Sequence, residues 1–409
     1  WLELPGSWWG HDLVLYRSAT GTPDGRAYPN GVPYAYVAGA KMEFEVTFRI
    51  VNNQLDLGTT IWIKGDGPGL YDVDPIEVKL VTKGAGANYR LRGSLNRKFA
   101  PATTQAYIPF VISWYWATSR DATSWHAVEN ESRGIIYVTH AKPQVAKLRH
   151  TVVNLGSVAA HGKDKVADII EAVWAKFSTR EVKRTDGQVL TYYKSYSASA
   201  TTADELLKEG DGQCGSWSEL FIQVLLAQGI GIPMKHLALL ADVPSLLAAP
   251  GWPPGQTLPP AGRYGLLVKN WRFNNLGKGD PNRYDAVSTD PSYSRMAAGG
   301  GHDLVAGSEL TDLNGIPGQG NDNPKSIFTN HQVVEIQLPG KPAPEWFDPS
   351  YGLRYTPRPG KTLGELFDEE AIAGYYADAV PLAGGPAYLV AIPNPPGNNI
   401  RKDVLATYP

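Results

Sequence analysis

The sequence predicts a multidomain chain, with an N-terminal antiparallel β-sandwich over residues 1–142 and an α+β domain over residues 143–409. Three observations point there. Up to about residue 142, short runs alternate apolar and polar residues with period two, and no helical pattern interrupts them. Beyond it, helical patterns come in series and strand patterns follow, which is the order of an α+β fold. A length of 409 residues suits two or three domains, and a hydrophobic content of 43% is ample for their cores.

Met42–Val51 alternates through five pairs, as a strand with one buried face does. Thr59–Lys64, Ile76–Val81, Tyr107–Trp116 and Gly134–Thr139 read the same way, separated by turn clusters such as Gly65–Gly69 and Lys83–Asn88. Seven of the twelve tryptophans fall in this region, and with the short strands they point to a sandwich of immunoglobulin-like type. The cysteine pair of an antibody domain is missing. Trp8–Trp9 reads as packing before sugar stacking, Asp72 and Asp74 as a solvated turn before a cation site, and Asn130-Glu131-Ser132 as a chance acceptor pattern.

The composition excludes several function classes. Lys plus Arg number 38 against 40 for Asp plus Glu, a net charge of −2, so nothing basic invites nucleic acid or an anionic membrane. The longest apolar runs fall short of the ~18 residues a spanning helix needs, so no membrane insertion is expected. None of the glycine stretches has phosphate-loop spacing. A single cysteine allows neither an internal disulfide nor a cysteine-based zinc site, and no cofactor or metal is expected. Charged residues at 19%, beside 12 Trp and 21 Tyr, point weakly to an extracellular or cell-surface setting.

After the boundary near residue 143, Val166, Ile169, Ile170, Val173, Trp174 and Phe177 form an amphipathic pattern, and Thr202-Ala203-Asp204-Glu205 is a capping box for a short helix ending before Gly210. Trp217, Leu220, Phe221, Val224, Leu225 and Gln228 then mark a third helix, with Gly229 placed as its left-handed terminator. Gly231–Leu240 reads as a turn into a strand. Residues 241–325 break the pattern with clusters such as Pro250–Gly255, Gly299–Gly301 and Gly315–Gly320, and read as a long insertion holding one strand at Tyr264–Val268 and a lone His302-Asp303 pair. Core structure resumes at Asn330–Leu338, with Val334, Ile336 and Leu338 on the apolar face and His331 on the other. Pro339–Pro344 turns the chain back to Glu345–Gly352, and in a simple hairpin Asp348 lies beside His331.

The only cysteine, Cys214, opens the third helix in Asp211-Gly212-Gln213-Cys214-Gly215-Ser216-Trp217. Unpaired first-turn amides and the helix dipole favour a thiolate there, and Gly212 and Gly215 permit a tight turn and a close approach to the sulfur. A buried structural cysteine is the competing reading. A thiol at a helix start, a histidine on one strand and an aspartate on the next are the parts that thiol acyl transfer needs: imidazole takes the thiol proton, and carboxylate fixes the tautomer. The Cys214 amide supplies one oxyanion donor; Trp174 is the candidate for a second, although a core role suits it better.

Gly212-Gln213-Cys214 with its apolar helix and Gly229–Pro233, Asn330-His331 running into Val333-Val334-Glu335, and Trp346-Phe347-Asp348-Pro349-Ser350 together resemble the three signature blocks of the transglutaminase-like superfamily. The resemblance spans about 160–355. It implies a papain-like fold with Cys214, His331 and Asp348 as catalytic triad, and an acyl-enzyme formed on a protein or peptide amide and resolved by an amine (cross-linking) or by water (hydrolysis). A catalytically idle binding or structural protein on the same core is the alternative. The separation of 117 residues from Cys214 to His331 exceeds what a compact bacterial member needs, which sets the insertion over or beside the cleft. The sandwich lies outside the resemblance and is expected to dock the enzyme on a surface or partner protein.

Overall fold

The computed structural model describes residues 14–15, 33–50, 58–80, 87–145, 147–194, 198–242, 264–269, 316–322, 324, 327–379, 388–393 and 397–409. Trp8–Trp9, Pro250–Gly255, Gly299–Gly301 and His302-Asp303 lie outside them. The fold is mixed α/β, with several sheets and five helices among the described residues. Contacts divide it into two compact units: residues 1–173 with 224–230, and residues 174–223 with 231–409.

In the first unit the described strands are β1 (Val14–Leu15), β2 (Pro33–Val37), β3 (Glu43–Ile50), β4 (Thr60–Asp66), β5 (Val73–Lys79), β6 (Ala87–Ser94), β7 (Gln105–Ala117), β8 (His126–Ala127), β9 (Ser132–Thr139) and β10 (Leu148–Arg149). One sheet runs β2-β9-β7-β4-β5 with β8 beside β7, and β3 pairs with β6. Period two does its work here: Ile61, Ile63, Phe110, Ile112 and Trp114 turn inward while Trp62, Lys64, Ser113 and Tyr115 remain partly exposed. Phe44 and Phe48 meet the Trp114 ring edge-on at 5.7 and 5.3 Å, and the buried indole N–H donates to Ser132 Oγ at 2.8 Å. Asp72 caps a turn, accepting the Gly67 amide at 3.1 Å. The expectation of a purely antiparallel arrangement is corrected at β2, which joins β9 in parallel; such a pairing needs a long connection, and the intervening strands supply it.

Helix α1 (His150–Ala159) has no counterpart in the sequence reading. Its Thr, Val, Asn and Gly residues are poor helix formers, and Arg149 offers no side-chain cap. Tertiary packing holds it: Val152 and Val153 are fully buried, and Tyr137 Oη lies 2.9 Å from both His150 Nε2 and Asn154 Oδ1.

Helices α2 (Val166–Ser178), α3 (Ala203–Glu209) and α4 (Cys214–Ala227) fall where the periodicity sets them. Thr202 and Glu205 form the expected reciprocal cap, Gly210 ends α3 at φ 82°, and Gly229 follows α4 at φ 75°. The second unit adds β11 (Thr191–Tyr192), β12 (Asp211–Gly212), β13 (Met234–Ala241), β14 (Tyr264–Val268), β15 (Ile327–Phe328), β16 (His331–Ile336), β17 (Glu345–Asp348), β18 (Leu353–Tyr355), helix α5 (Leu363–Ala371), β19 (Ile372–Ala379), β20 (Tyr388–Pro393) and β21 (Ile400–Tyr408). The antiparallel order β18-β17-β16-β13-β21 puts β16 at the centre of its sheet; β15-β14-β19-β20 form another.

The single apolar face expected of β16 is corrected as well. His331, Val333, Val334 and Ile336 are fully buried and Glu335 nearly so, because this central strand is covered on both faces. Helix α4 is likewise buried almost all round, with only Glu219 and Gln223 partly exposed. Phe221 lies 5.6 Å from Phe347 of β17 and 5.0 Å from Phe177, and Trp174 joins them at 5.5 and 5.0 Å from Phe221 and Phe347. Each such ring contributes about 1.5–3 kcal/mol by leaving water, so the helix that begins with Cys214 is fixed against the strand that ends with Asp348.

Candidate active site

Cys214 is the first residue of α4, where backbone amides have no intrahelical acceptor. The turn before it is held tightly. β12 pairs in parallel with β11, the Gln213 amide donates to Ala200 O at 2.9 Å, and Gln213 Nε2 donates to Ala198 O at 2.8 Å. Ser216 Oγ closes the first turn onto Gln213 O at 2.7 Å, and a Cβ on Gly212 would stand 2.3 Å from that hydroxyl. At Gly215 a Cβ would lie 2.7 Å from Gln332 Oε1 and 3.2 Å from Thr201 O. Both glycines answer close approaches within the chain itself, so the space beside Gly215 is taken by Gln332 rather than left open.

His331 begins β16 and Asp348 ends β17. Their strands pair Val334 with Phe347, Glu335 with Trp346 and Ile336 with Glu345. One further step of that register sets Asp348 across from Val333, on the face His331 shares, and the two side chains meet: His331 Nε2 is 2.8 Å from Asp348 Oδ2. Asp348 Oδ1 accepts the amides of Ser350 at 3.1 Å and Tyr351 at 3.2 Å. Nε2 is thereby the protonated nitrogen. Nδ1 has no hydrogen-bond partner of normal geometry, and the Cys214 thiol is near enough to act on the charge of the ring.

Burial alone would lower the histidine pKa, but the Asp348 carboxylate and, to a lesser degree, Cys214 outweigh it and raise the ring to about 10. The ring is walled by aromatics, stacked on Phe367 at 5.9 Å with Tyr351 and Phe328 at 5.3 and 5.9 Å. Burial first, and neighbouring acidic groups after it, push the Tyr192 and Tyr351 phenols well above 10 and keep them neutral. His331 and Asp348 are inaccessible to solvent and Cys214 is 5% exposed. A thiol, an imidazole nitrogen free to face it and a carboxylate on the opposite nitrogen can together move one proton and release it again.

All three residues singled out from the sequence lie within the second unit, and the interactions bring them together. Trp174 packs between Phe221 and Phe347, as a core residue does. Tyr192, Tyr193, Phe367, Gln319 and Asn321 support the site without being expected from the sequence. Asn321 Nδ2 donates to the carbonyls of Tyr192 and Tyr193, both at 2.9 Å, and holds Tyr193 at φ 47°. The signal for Gln319 and Asn321 was the spacing of Gly318 and Gly320, which packing against Tyr192 and Leu190 forces. Among the described residues no group of three or more His, Cys, Asp or Glu side chains is placed to hold a metal, and no helix is long and apolar enough to cross a membrane.

No protein-family model matches the chain, and no curated protein sequence matches it. Among solved structures the chain is similar to a red sea bream transglutaminase, with a TM-score of 0.27 and 11% identity over 77% of this chain and 49% of that one. The chain spans about half the length of that protein.

Proposed function

We propose that the chain is a transglutaminase-like cysteine enzyme that forms an acyl-thioester at Cys214 on a protein or peptide amide. The observation that carries this reading is the 2.8 Å contact between His331 Nε2 and Asp348 Oδ2, which leaves Nδ1 to the thiol at the start of α4. The proton shared by the thiol and Nδ1 rests on the ring, and the sulfur adds as thiolate to the amide carbonyl. The tetrahedral oxyanion faces the first-turn amide of Cys214. The C–N bond then breaks, the imidazolium returns its proton to the leaving amine, and a thioester remains. An incoming amine gives a new amide, or water gives the acid, and either step regenerates the thiol. In this reading residues 143–409 carry the chemistry, and residues 1–142 form an immunoglobulin-like sandwich that docks the enzyme on a surface or partner protein outside the cell.

A catalytically idle binding protein on the same core is the second reading, favoured by the 5% exposure of Cys214. Iodoacetamide at neutral pH separates the two: alkylation of Cys214 that depends on His331 supports the enzyme, and an inert thiol supports the scaffold. Incubation with a glutamine-containing protein and a dansylated amine tests the acceptor. Dye incorporation abolished by Cys214→Ala supports transfer to amines, whereas new peptide termini support hydrolysis.

A further inference from the structure

The carboxylate of Asp348 is held by more than its histidine. Its Oδ1 accepts the amides of Ser350 and Tyr351, which belong to the peptide groups 349–350 and 350–351. The carbonyl ends of those same two peptide groups are bound by one residue. Gln319 Nε2 donates to Pro349 O at 2.7 Å, and the Gln319 amide donates to Ser350 O at 2.9 Å. A peptide group is planar, with its N–H and C=O pointing in opposite directions, so fixing the oxygen fixes where the hydrogen points.

Gln319 is itself immobilised. It is fully buried, Nε2 also donates to Phe177 O at 2.7 Å, and Gln319 O accepts the Tyr192 amide at 2.8 Å. Both partners of Nε2 are carbonyl oxygens, which fixes the orientation of the side-chain amide. A Cβ at Gly318 would stand 2.7 Å from the Tyr192 ring, and one at Gly320 would stand 2.7 Å from Leu190 O, at φ 54°. No other residue type fits on either side, and the segment is wedged beneath the Asp348 turn. A tie between Phe177 and the turn alone would need one hydrogen bond to each. Two bonds, one to each peptide group that serves Asp348, are what aiming a carboxylate requires.

We propose that Gln319 is a positioning residue for Asp348, acting through the two peptide groups that follow it, and through Asp348 on the orientation of His331. The inference rests on reading Asp348 and His331 as a catalytic pair. Its test has a readout that does not need turnover.

The full chain is prepared with histidine labelled for NMR, the His331 signal being the one lost in His331→Gln, and the ring is titrated in wild type and in Gln319→Met, which keeps the bulk and deletes the side-chain donor. The expected result is a His331 midpoint lowered by about one unit or more, as loss of a well-placed opposite charge gives, with the His150 midpoint unmoved. Acyl-enzyme formation falls in parallel, by on the order of 100-fold, with KM little changed. In the Asp348→Asn background, Gln319→Met adds nothing further to the rate loss. A folded Gln319→Met protein whose His331 midpoint is unchanged overturns the proposal and leaves Gln319 a packing tie. Should Gln319→Met not fold, the isosteric Gln319→Glu serves: protonated at low pH it keeps one O–H donor for the carbonyls, and as it ionises the His331 signal is expected to move, while an invariant signal again overturns the proposal. A wild type without acyl transfer but with a His331 midpoint that responds to Gln319 upholds the positioning role and defeats the catalytic reading instead.

Discussion

His331 Nε2 and Asp348 Oδ2 stand 2.8 Å apart in a site closed to solvent, and the second oxygen of the same carboxylate binds two backbone amides. The carboxylate therefore serves the ring and the turn at once, so the substitution chosen to test it matters. Asp348→Ala strands the buried amides of Ser350 and Tyr351 as well as the ring, and a buried unpaired donor costs about 1–3 kcal/mol. Asp348→Asn keeps an acceptor for the turn and presents an N–H to His331. The ring must then accept at Nε2 and carry its proton on Nδ1, the wrong tautomer for taking one from a thiol. Acylation of Cys214 is expected to fall by roughly 10²–10⁴-fold with the melting temperature little changed. Unaltered alkylation and dye-incorporation rates in Asp348→Asn would remove Asp348 from the proposed triad.

The same pair predicts how stability depends on pH. The histidine is held at about 10 in the folded chain against an ordinary 6.5. Below pH 6.5 the ring is protonated folded or unfolded, and its attraction to Asp348 contributes in full. Between 6.5 and about 10 the unfolded chain has released the proton that the folded chain still binds, so stability declines as pH rises. Urea unfolding across that window is expected to show a decline in wild type that His331→Gln lacks. Parallel curves for the two proteins would mean that the ring does not bind its proton more tightly on folding.

Much of this site was legible in the sequence, for physical reasons. Cys214 is marked by a helical period that starts at it, and Asp348 by a return strand of the right length after His331. Period two and period 3.6 reveal elements with one buried face, and they revealed β3, β4, β7 and α2. They fail where burial is all round, as in β16, whose two faces are both covered, and where packing overrides propensity, as in α1. Helix α5 was missed although Thr362 and Glu365 form a capping box, because the apolar pattern behind them is short. Gln319 is marked only by the glycines on either side: its partners Phe177, Pro349 and Ser350 are distant in sequence, and a polar residue between two glycines reads as a loop.

Gly215 supplies a structural test beside the nucleophile. A methyl group there would meet Gln332 Oε1 at 2.7 Å and Thr201 O at 3.2 Å. The Gln332 side chain can swing aside, but the Thr201 carbonyl is backbone and yields only if the start of α4 shifts. Gly215→Ala is expected to destabilise by about 1–3 kcal/mol, as overpacking does. It is also expected to slow Cys214 alkylation more than the stability loss explains, since the sulfur moves with the helix start. Denaturant unfolding and alkylation rates measured on one preparation check both, and an unchanged alkylation rate would show that the helix start does not move.

In the first unit, burial lowers His150 from 6.5 to about 4, with Tyr137 Oη 2.9 Å from its Nε2. A depressed histidine has the opposite sign. Its contribution is present above pH 6.5 and is lost as pH falls through about 4, because the unfolded chain takes up a proton that the buried ring refuses. Acid unfolding of wild type is expected to steepen between pH 6.5 and 4, and His150→Gln, which can still bond Tyr137, is expected to flatten that limb. Tryptophan fluorescence followed on acidification measures it, and an acid limb equally steep in the variant would assign the proton uptake elsewhere.

Glu335 tests whether the buried charge in β16 stabilises through its ion pairs or through a hydrogen bond. Its carboxylate is 4% exposed and reaches Lys235 Nζ at 2.7 Å, Lys402 Nζ at 3.2 Å and Trp346 Nε1 at 3.0 Å. Burial opposes ionisation, but the two lysines and the indole N–H together hold the group below the usual carboxylate range. The lysines are about half exposed and return to water when the acid is lost, so the pairs themselves contribute little. The Trp346 indole is 2% exposed and has no such escape. Glu335→Gln keeps an acceptor for it and is expected to lower stability by no more than about 1 kcal/mol. Glu335→Leu leaves the indole N–H unpaired and is expected to lose about 1–3 kcal/mol. Urea unfolding of the two variants at neutral pH decides between the sources: equal losses would assign the stabilisation to the lysines, and a larger loss in the leucine variant assigns it to Trp346.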